Sequence, residues 1–213
     1  CPHPVDESVY SPTAESSQER TALLERYGAD YIAFAPARQN WRLKGNDRYL
    51  RALAAVVRQG IRMVLLIPAW GQEIERSKAL CRKLGLERHV VWLPPQSERG
   101  LVRFYRSADF VLDQFTLGVF GLTTPKALAA GAVVLTSYNN AVNGWCFPKP
   151  PPLVACETAD DIASAMLQLA PNREARMEIG QQSREWIMRY HSRKVVAHNL
   201  EQAMEEASRH FMG

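Results

Sequence analysis

The 213-residue sequence lacks any CxxC pair and any spacing of cysteine or histidine that is typical of a metal site. Its four cysteines, Cys1, Cys81, Cys146 and Cys156, are therefore expected to be free thiols in a reducing compartment, which favours a cytoplasmic protein. No apolar run approaches the roughly 20 residues that a bilayer-spanning helix needs. The sequence also has no signal-peptide pattern at its start, and its first methionine is Met63. Because the first methionine comes so late, we expect this sequence to be a piece of a longer polypeptide.

Several signatures of other function classes are also absent. Neither GxxxxGK[ST] nor GxGxxG follows a predicted strand, so neither a P-loop nor a standard dinucleotide fingerprint is available. No Ser/His/Asp or Cys/His arrangement is visible, and we interpret His191 and His198 as structural residues. The net charge is only +4, and the Lys and Arg residues are dispersed, so no nucleic-acid partner is expected. The slight excess of positive charge is compatible with an anionic ligand such as a phosphate.

What is present is an alternation of apolar runs and amphipathic stretches from residue 31 to residue 170. Strands are predicted at 31–35, 61–67, 89–93, 110–113, 133–136 and 153–155. Helices are predicted at 21–27, 46–60, 71–84, 97–107, 158–169, 172–190 and 192–210. Ser97 is predicted to cap the helix at 97–107, and Thr158 with Asp161 resembles a capping box. This order predicts βαβ units and a Rossmann-like, doubly wound parallel α/β sheet. We expect one such domain over 31–213, preceded over 1–30 by an extended linker with three prolines in residues 1–12 and an N-terminal extension.

The stretch 118–136 reads as a glycine turn, a short helix of small residues and a buried strand. Gly121 would let backbone approach a ligand closely. Thr123 or Thr124 is predicted to cap the helix, with Pro125 in its first turn. The N–H groups at such a helix start favour a phosphate.

Polar residues follow two of the predicted strands, where ligands bind in sheets of this kind. Arg38 and Lys44 follow the first strand, and Asp113 and Gln114 follow the fourth. Two cations that converge with a helix start suit a diphosphate, because charge-assisted hydrogen bonds are each worth about 1.5–3 kcal/mol.

In these segments the sequence resembles the C-terminal half of a two-domain (GT-B fold) glycosyltransferase of the large retaining group 1, or family 4-like, class. The resemblance rests on the order and spacing of segments 5–12, 34–45, 107–112, 120–134 and 186–191.

The resemblance implies a donor site for a nucleotide-diphosphate sugar. Arg38 and Lys44 would bind the diphosphate and stabilise the leaving nucleotide during transfer. The other implied donor-binding residues are Leu93, Gln114, Gly118, Phe120, Gly121, Leu122, Thr123 and Lys126. It also implies that no metal or other cofactor is needed and that a missing N-terminal domain binds the acceptor. Whether the full-length enzyme also associates with a membrane through that domain is left open.

One departure from the family pattern bears on activity. The family signature carries two glutamates eight positions apart, and Gly118 and Lys126 stand in their places here. A non-catalytic, glycosyltransferase-like binding or scaffold domain is therefore the alternative. A nucleotide-sugar epimerase is a third and weaker one, since the carboxylates and histidine that such enzymes use are not found.

Overall fold

The structure, a computed structural model, describes residues 3–211, with side chains over residues 3–209. Its centre is a six-stranded, all-parallel sheet in the order β3-β2-β1-β4-β5-β6. The strands are β1 (Tyr31–Phe34), β2 (Met63–Pro68), β3 (Val90–Leu93), β4 (Phe110–Leu112), β5 (Val133–Thr136) and β6 (Val154–Ala155). The predicted doubly wound α/β fold is thus confirmed.

Helices connect the strands and cover both faces of the sheet. In chain order they are α1 (Glu7–Tyr10), α2 (Ala14–Tyr27), α3 (Trp41–Lys44), α4 (Asn46–Arg58), α5 (Ile74–Leu84), α6 (Glu98–Ser107), α7 (Thr123–Ala129), α8 (Asn140–Asn143), α9 (Ala159–Leu169), α10 (Arg173–Tyr190) and α11 (Arg193–Phe211). Two capping predictions are confirmed: the Ser97 hydroxyl accepts from the Gly100 N–H, and Thr158 forms a capping box with Asp161.

Burial on both faces explains why the strands are almost wholly apolar. Successive side chains of a strand point to opposite faces, so Ala33 packs with α4 and α9, whereas Ile32 and Phe34 pack with α6 and α7. The strand order reverses direction between β1 and β4, and the loops after these two strands therefore diverge there. Such a switch point is where open α/β sheets bind their ligands.

The N-terminal segment differs from the prediction. The extended linker predicted over 1–12 is wrong within the described residues, because α1 forms there and Val5 pairs with Ser192. The second helix also starts earlier than predicted, at Ala14, because Thr13 caps it through a capping box with Ser16. Composition favoured an extended chain, but local capping and packing against the domain decide the structure.

Long-range contacts anchor this N-terminal segment. The Arg20 guanidinium donates to both carboxylate oxygens of Asp109, at 2.8 and 2.7 Å. The Tyr10 ring is 5% exposed and packs edge-on against Tyr105, with ring centroids 5.6 Å apart. Residues 3–27 therefore pack on the same domain as the sheet.

The helix after β2 begins later than predicted, at Ile74 rather than residue 71. Gly71 adopts a φ of +110°, outside the helical region, and forms a bridge with Gln39. No helix within residues 3–211 combines the length and apolar character needed to cross a bilayer.

Candidate functional site

A cavity of about 530 Å³ opens at the carboxyl edge of the sheet. The loops after β1, β2 and β3 and the start of α7 enclose it. Its lining residues are Pro36, Ala37, Arg38, Lys44, Pro68, Trp70, Pro95, Gln96, Glu98, Leu101, Tyr105, Leu122, Thr123 and Lys126. The volume lies within the roughly 300–1,000 Å³ of ordinary small-molecule pockets.

Half of the predicted site residues line this cavity: Arg38, Lys44, Leu122, Thr123 and Lys126. The other five do not line it: Leu93, Gln114, Gly118, Phe120 and Gly121. One of them, Phe120, lines a separate cavity instead. The loops after β1 and β4 therefore meet at the cavity, as expected, but several of their side chains do not line it.

Neither of the two predicted cations forms a salt bridge in the described part of the chain, although the charge of Lys44 acts on the buried carboxyl of Asp113. Arg38 is exposed and Lys44 is half-buried. Two cations that share a cavity without a salt bridge repel each other, and an anion between them would relieve that repulsion.

A buried polar network fixes the loop that carries these cations. Gln39, Asn46, Tyr49 and Ser77 are all fully buried. The Tyr49 hydroxyl accepts from Gln39 Nε2 at 2.9 Å and from Asn46 Nδ2 at 3.2 Å. Asn46 also binds loop backbone, accepting from the Asn40 N–H at 2.7 Å and donating to the Arg38 carbonyl at 3.3 Å. Burial raises the pKa of the Tyr49 phenol to about 12, so it remains protonated at neutral pH.

We predict that Tyr49→Phe destabilises the protein by about 1–3 kcal/mol, because two buried amide donors lose their acceptor. Urea unfolding measures the effect. Tyr27→Phe is the matched control, since no hydrogen bond of the Tyr27 hydroxyl is present among the described residues, and it should change stability by less than about 0.5 kcal/mol. Equal, small effects of the two variants would show that the network does not support the loop.

Gln114 holds the loop after β4 in place through hydrogen bonds of its side chain. It is 1% exposed, and its Nε2 donates to the Ser137 carbonyl at 3.0 Å and to the Val119 carbonyl. Its Oε1 accepts from the N–H groups of Thr116 and Leu117, at 3.1 and 2.8 Å. All its hydrogen-bonding capacity is thereby used, so the structure places Gln114 as a support of the loop.

Gly118 turns the same loop with a φ of +68°, a conformation that favours glycine. Its carbonyl accepts from the Asn139 N–H at 2.9 Å and from Asn143 Nδ2 at 2.8 Å. Asn139 in turn caps α8, since its side chain accepts from the N–H groups of Ala141 and Val142. Gly121 has open space where a Cβ would lie, and its backbone N–H interacts with the Asp113 carboxyl.

The predicted cap of α7 is wrong. Leu122 occupies the N-cap position and no side chain caps the helix, although Pro125 does lie in the first turn. The Thr124 hydroxyl instead donates to Asp113 Oδ2 at 2.8 Å. Asp113 is 1% exposed, and burial raises the pKa of its carboxyl, which favours the neutral form more than in an exposed aspartate.

Phe120 and Leu93 face packed surroundings. The Phe120 ring stacks with Tyr138 and Phe147, at centroid distances of 5.7 and 6.3 Å, and meets Trp186 edge-on. Leu93 is half-buried against the core, and Pro95 and Gln96, slightly further along, line the cavity. Only the backbone of Phe120 remains available for the role that was predicted for it.

Lys126 does not project into the cavity as a free cation. Its Nζ forms a salt bridge with Glu98 Oε1, and the Tyr10 hydroxyl donates to the same oxygen at 2.9 Å. Both partners are largely buried, with the Lys126 side chain 18% and Tyr10 5% exposed.

Sequence reasoning missed two prominent lining residues, Trp70 and Glu98. Trp70 follows β2, and its indole Nε1 donates to the Pro36 carbonyl at 3.0 Å, which fixes the ring at the cavity wall. The rule that ligand residues follow parallel strands would have found Trp70. Glu98 is the first residue of α6, where acidic residues are common, so no sequence signal marks it and only the fold shows that it lines the cavity.

Other titratable groups offer little to a cofactor. Within residues 3–209, no group of three His, Cys, Asp or Glu side chains could hold a metal ion. Cys81, Cys146 and Cys156 are free thiols, as expected, whereas Cys1 lies outside the described residues. The expected independence from a metal stays a prediction.

Comparison with known proteins defines the class to which this fold and cavity belong. Residues 18–186 match the family of group 1 glycosyl transferases, and the chain belongs to that family. It is 30% identical over 185 residues to a D-inositol 3-phosphate glycosyltransferase of Saccharomonospora viridis, covering 79% of this chain and 41% of the relative. For the same enzyme of Corynebacterium jeikeium the identity is 29%, covering 84% and 45%. The chain thus spans less than half the length of these two relatives.

Solved structures confirm the predicted half of the GT-B fold. The C-terminal domain of the group 1 glycosyltransferase LpcC from Francisella tularensis superposes with a TM-score of 0.71 at 18% identity, covering 86% of this chain and 96% of that domain. Anabaena HepE, solved with UDP and glucose, has a TM-score of 0.75 at 16% identity, covering 96% of this chain and 55% of HepE. The architecture is therefore that of a glycosyltransferase C-terminal domain.

Proposed function

We propose that this domain binds the nucleotide-diphosphate sugar donor of a retaining glycosyltransferase. The observation that carries the proposal is the cavity at the topological switch point, whose lining includes two cations that form no salt bridge among the described residues, Arg38 and Lys44. Family membership supports it, as does the presence of UDP in the HepE structure.

In the proposed reaction, the bond between the anomeric carbon of the sugar and the diphosphate breaks. A new bond forms to an acceptor hydroxyl, which loses its proton, and the nucleoside diphosphate leaves with additional negative charge. Arg38 and Lys44 would stabilise that charge, because a cation in a partly enclosed site interacts with an anion more strongly than a cation in bulk water does. The second domain of the enzyme would bind the acceptor.

The remaining predicted residues divide into two roles. Leu122 and Thr123 line the cavity and, with the backbone of Phe120 and Gly121, would contact the phosphate and the sugar. Gln114 and Gly118 would act indirectly by shaping this loop, and Leu93 would help to position the lining residues that follow it.

Titration calorimetry with UDP, GDP, ADP and their sugar derivatives tests the proposal. We expect saturable binding of at least one of them, with pyrophosphate as a weaker competitor for the same site. Absence of binding to every one of these ligands at millimolar concentration would overturn it.

A second candidate, a non-catalytic binding or scaffold domain, is favoured by one observation. Lys126 stands where the family signature has a glutamate and is neutralised by Glu98. That candidate predicts no donor binding by the natural domain and a gain of binding in Lys126→Glu. The epimerase alternative receives no support from the cavity, since the described lining residues include no histidine.

A further inference from the structure

The cavity contains one carboxylate among its described lining residues, Glu98, and its surroundings hold it in place. Lys126 Nζ and the Tyr10 hydroxyl both bind Oε1. Oε2 has no hydrogen-bond or salt-bridge partner in the described part of the chain. An exposed first-turn glutamate ordinarily moves freely, so two largely buried partners on one oxygen are an unusual restraint.

The electrostatics keep this carboxylate charged. The Lys126 ammonium, together with the Tyr10 hydroxyl, holds the pKa of Glu98 below its ordinary value. Glu98 lines the cavity and its side chain is still 66% exposed, so a ligand in the cavity can reach it. A carboxylate that is held in place and has a free oxygen accepts hydroxyl donors well.

The cavity lining therefore offers two kinds of polar group, cations without a salt bridge and a carboxylate oxygen without a partner among the described residues. Arg38 and Lys44, on the loop after β1, favour the diphosphate, whereas Glu98, on α6, favours hydroxyl groups. Trp70, Pro68 and Pro95 lie between the ends of β2 and β3 and offer flat apolar surface to a base. A nucleoside diphosphate carries all three matching groups: the diphosphate, the ribose hydroxyls and the base.

We propose that Glu98 is the acceptor for the ribose 2′- and 3′-hydroxyls of the donor nucleotide, with Lys126 and Tyr10 as its positioning residues. The inference rests on the proposed function. It gives Lys126 a role that the family pattern does not provide, because the lysine at that position holds a carboxylate supplied by another helix.

The test compares UDP with 2′,3′-dideoxy-UDP by titration calorimetry, or the corresponding pair for whichever base binds. Because neither ligand contains a transferred sugar, any effect reports on the ribose. Glu98→Gln should weaken binding of the ribonucleotide by about 10- to 100-fold, the usual worth of a hydrogen bond to a charged group. It should leave the already weaker binding of the dideoxy ligand within about threefold, since that ligand has no hydroxyl to lose.

Glu75→Gln is the matched control, because Glu75 also lies in a helix first turn, pairs with a lysine at 2.8 Å, and is absent from the cavity lining. It should leave both affinities unchanged. Equal losses for both ligands in Glu98→Gln, or no loss for either, would overturn the inference while the proposed function stands. Failure of the natural protein to bind any nucleoside diphosphate would overturn both.

Discussion

Replacing Arg38 and Lys44 together by glutamine is expected to reduce the affinity for a nucleoside diphosphate by about 100- to 10,000-fold. Each side chain would otherwise contribute a charge-assisted interaction worth about 1.5–3 kcal/mol. Glutamine retains a polar side chain of similar reach but removes the charge. Neither residue forms a salt bridge among the described residues, and the one buried carboxyl that the charge of Lys44 influences, Asp113, keeps its hydrogen bond from Thr124.

The matched control removes two charges elsewhere. Arg58 and Lys83 are exposed near the C-terminal ends of α4 and α5, and neither lines the cavity. Arg58→Gln with Lys83→Gln lowers the net charge by the same amount, and we expect a change in affinity below about threefold. Equal losses in the two double variants would attribute binding to overall charge, and the assignment of the site would then be wrong.

Gly71→Ala is expected to be strongly destabilising, with a loss of about 2–5 kcal/mol in the free energy of unfolding. An added Cβ would lie 2.5 Å from the Gln39 nitrogen and 2.6 Å from its oxygen, so backbone must move. The φ of +110° adds strain for any residue with a side chain. Because Gln39 follows Arg38 directly, nucleotide affinity should fall as well.

The variant Gly60→Ala separates backbone strain from steric clash as causes of the lost stability. Gly60 has a φ of +86° but no heavy atom within 4 Å of an added Cβ, so its substitution measures backbone strain alone. We expect a loss of about 1–2 kcal/mol there. Urea unfolding of both variants gives the comparison, and a Gly71→Ala effect no larger than the Gly60→Ala effect would contradict the proposed close approach.

How far the sequence predicts the fold depends on how local the determining signal is. Buried parallel strands are apolar throughout, so β1, β2 and β5 were found within one or two residues of their ends. The capping residues Ser97 and Thr158 were found because a cap acts within three residues. By contrast, α1 was missed because its stability comes from contacts such as the Tyr10–Glu98 hydrogen bond, 88 residues apart.

The candidate site shows the same difference between local signals, which the sequence reveals, and long-range contacts, which it does not. The position of Arg38 and Lys44 at the cavity was predictable, because residues that follow parallel strands meet at one edge of a sheet. The orientation of Gln114 and Phe120 was not, because both side chains are directed by tertiary packing around the loop. The Glu98–Lys126 pair joins two helices, and a salt bridge between separate helices leaves no periodicity in the sequence.

The most direct test of the central claim is a crystal structure of this chain with UDP, or with whichever nucleoside diphosphate binds in solution. We predict diphosphate oxygens at hydrogen-bond distance, about 2.7–3.2 Å, from the Arg38 and Lys44 side chains. A larger groove of about 1,290 Å³ runs along α10 beside Gly131, at the opposite end of α7. A diphosphate bound there, with Arg38 and Lys44 free of ligand, would contradict the account.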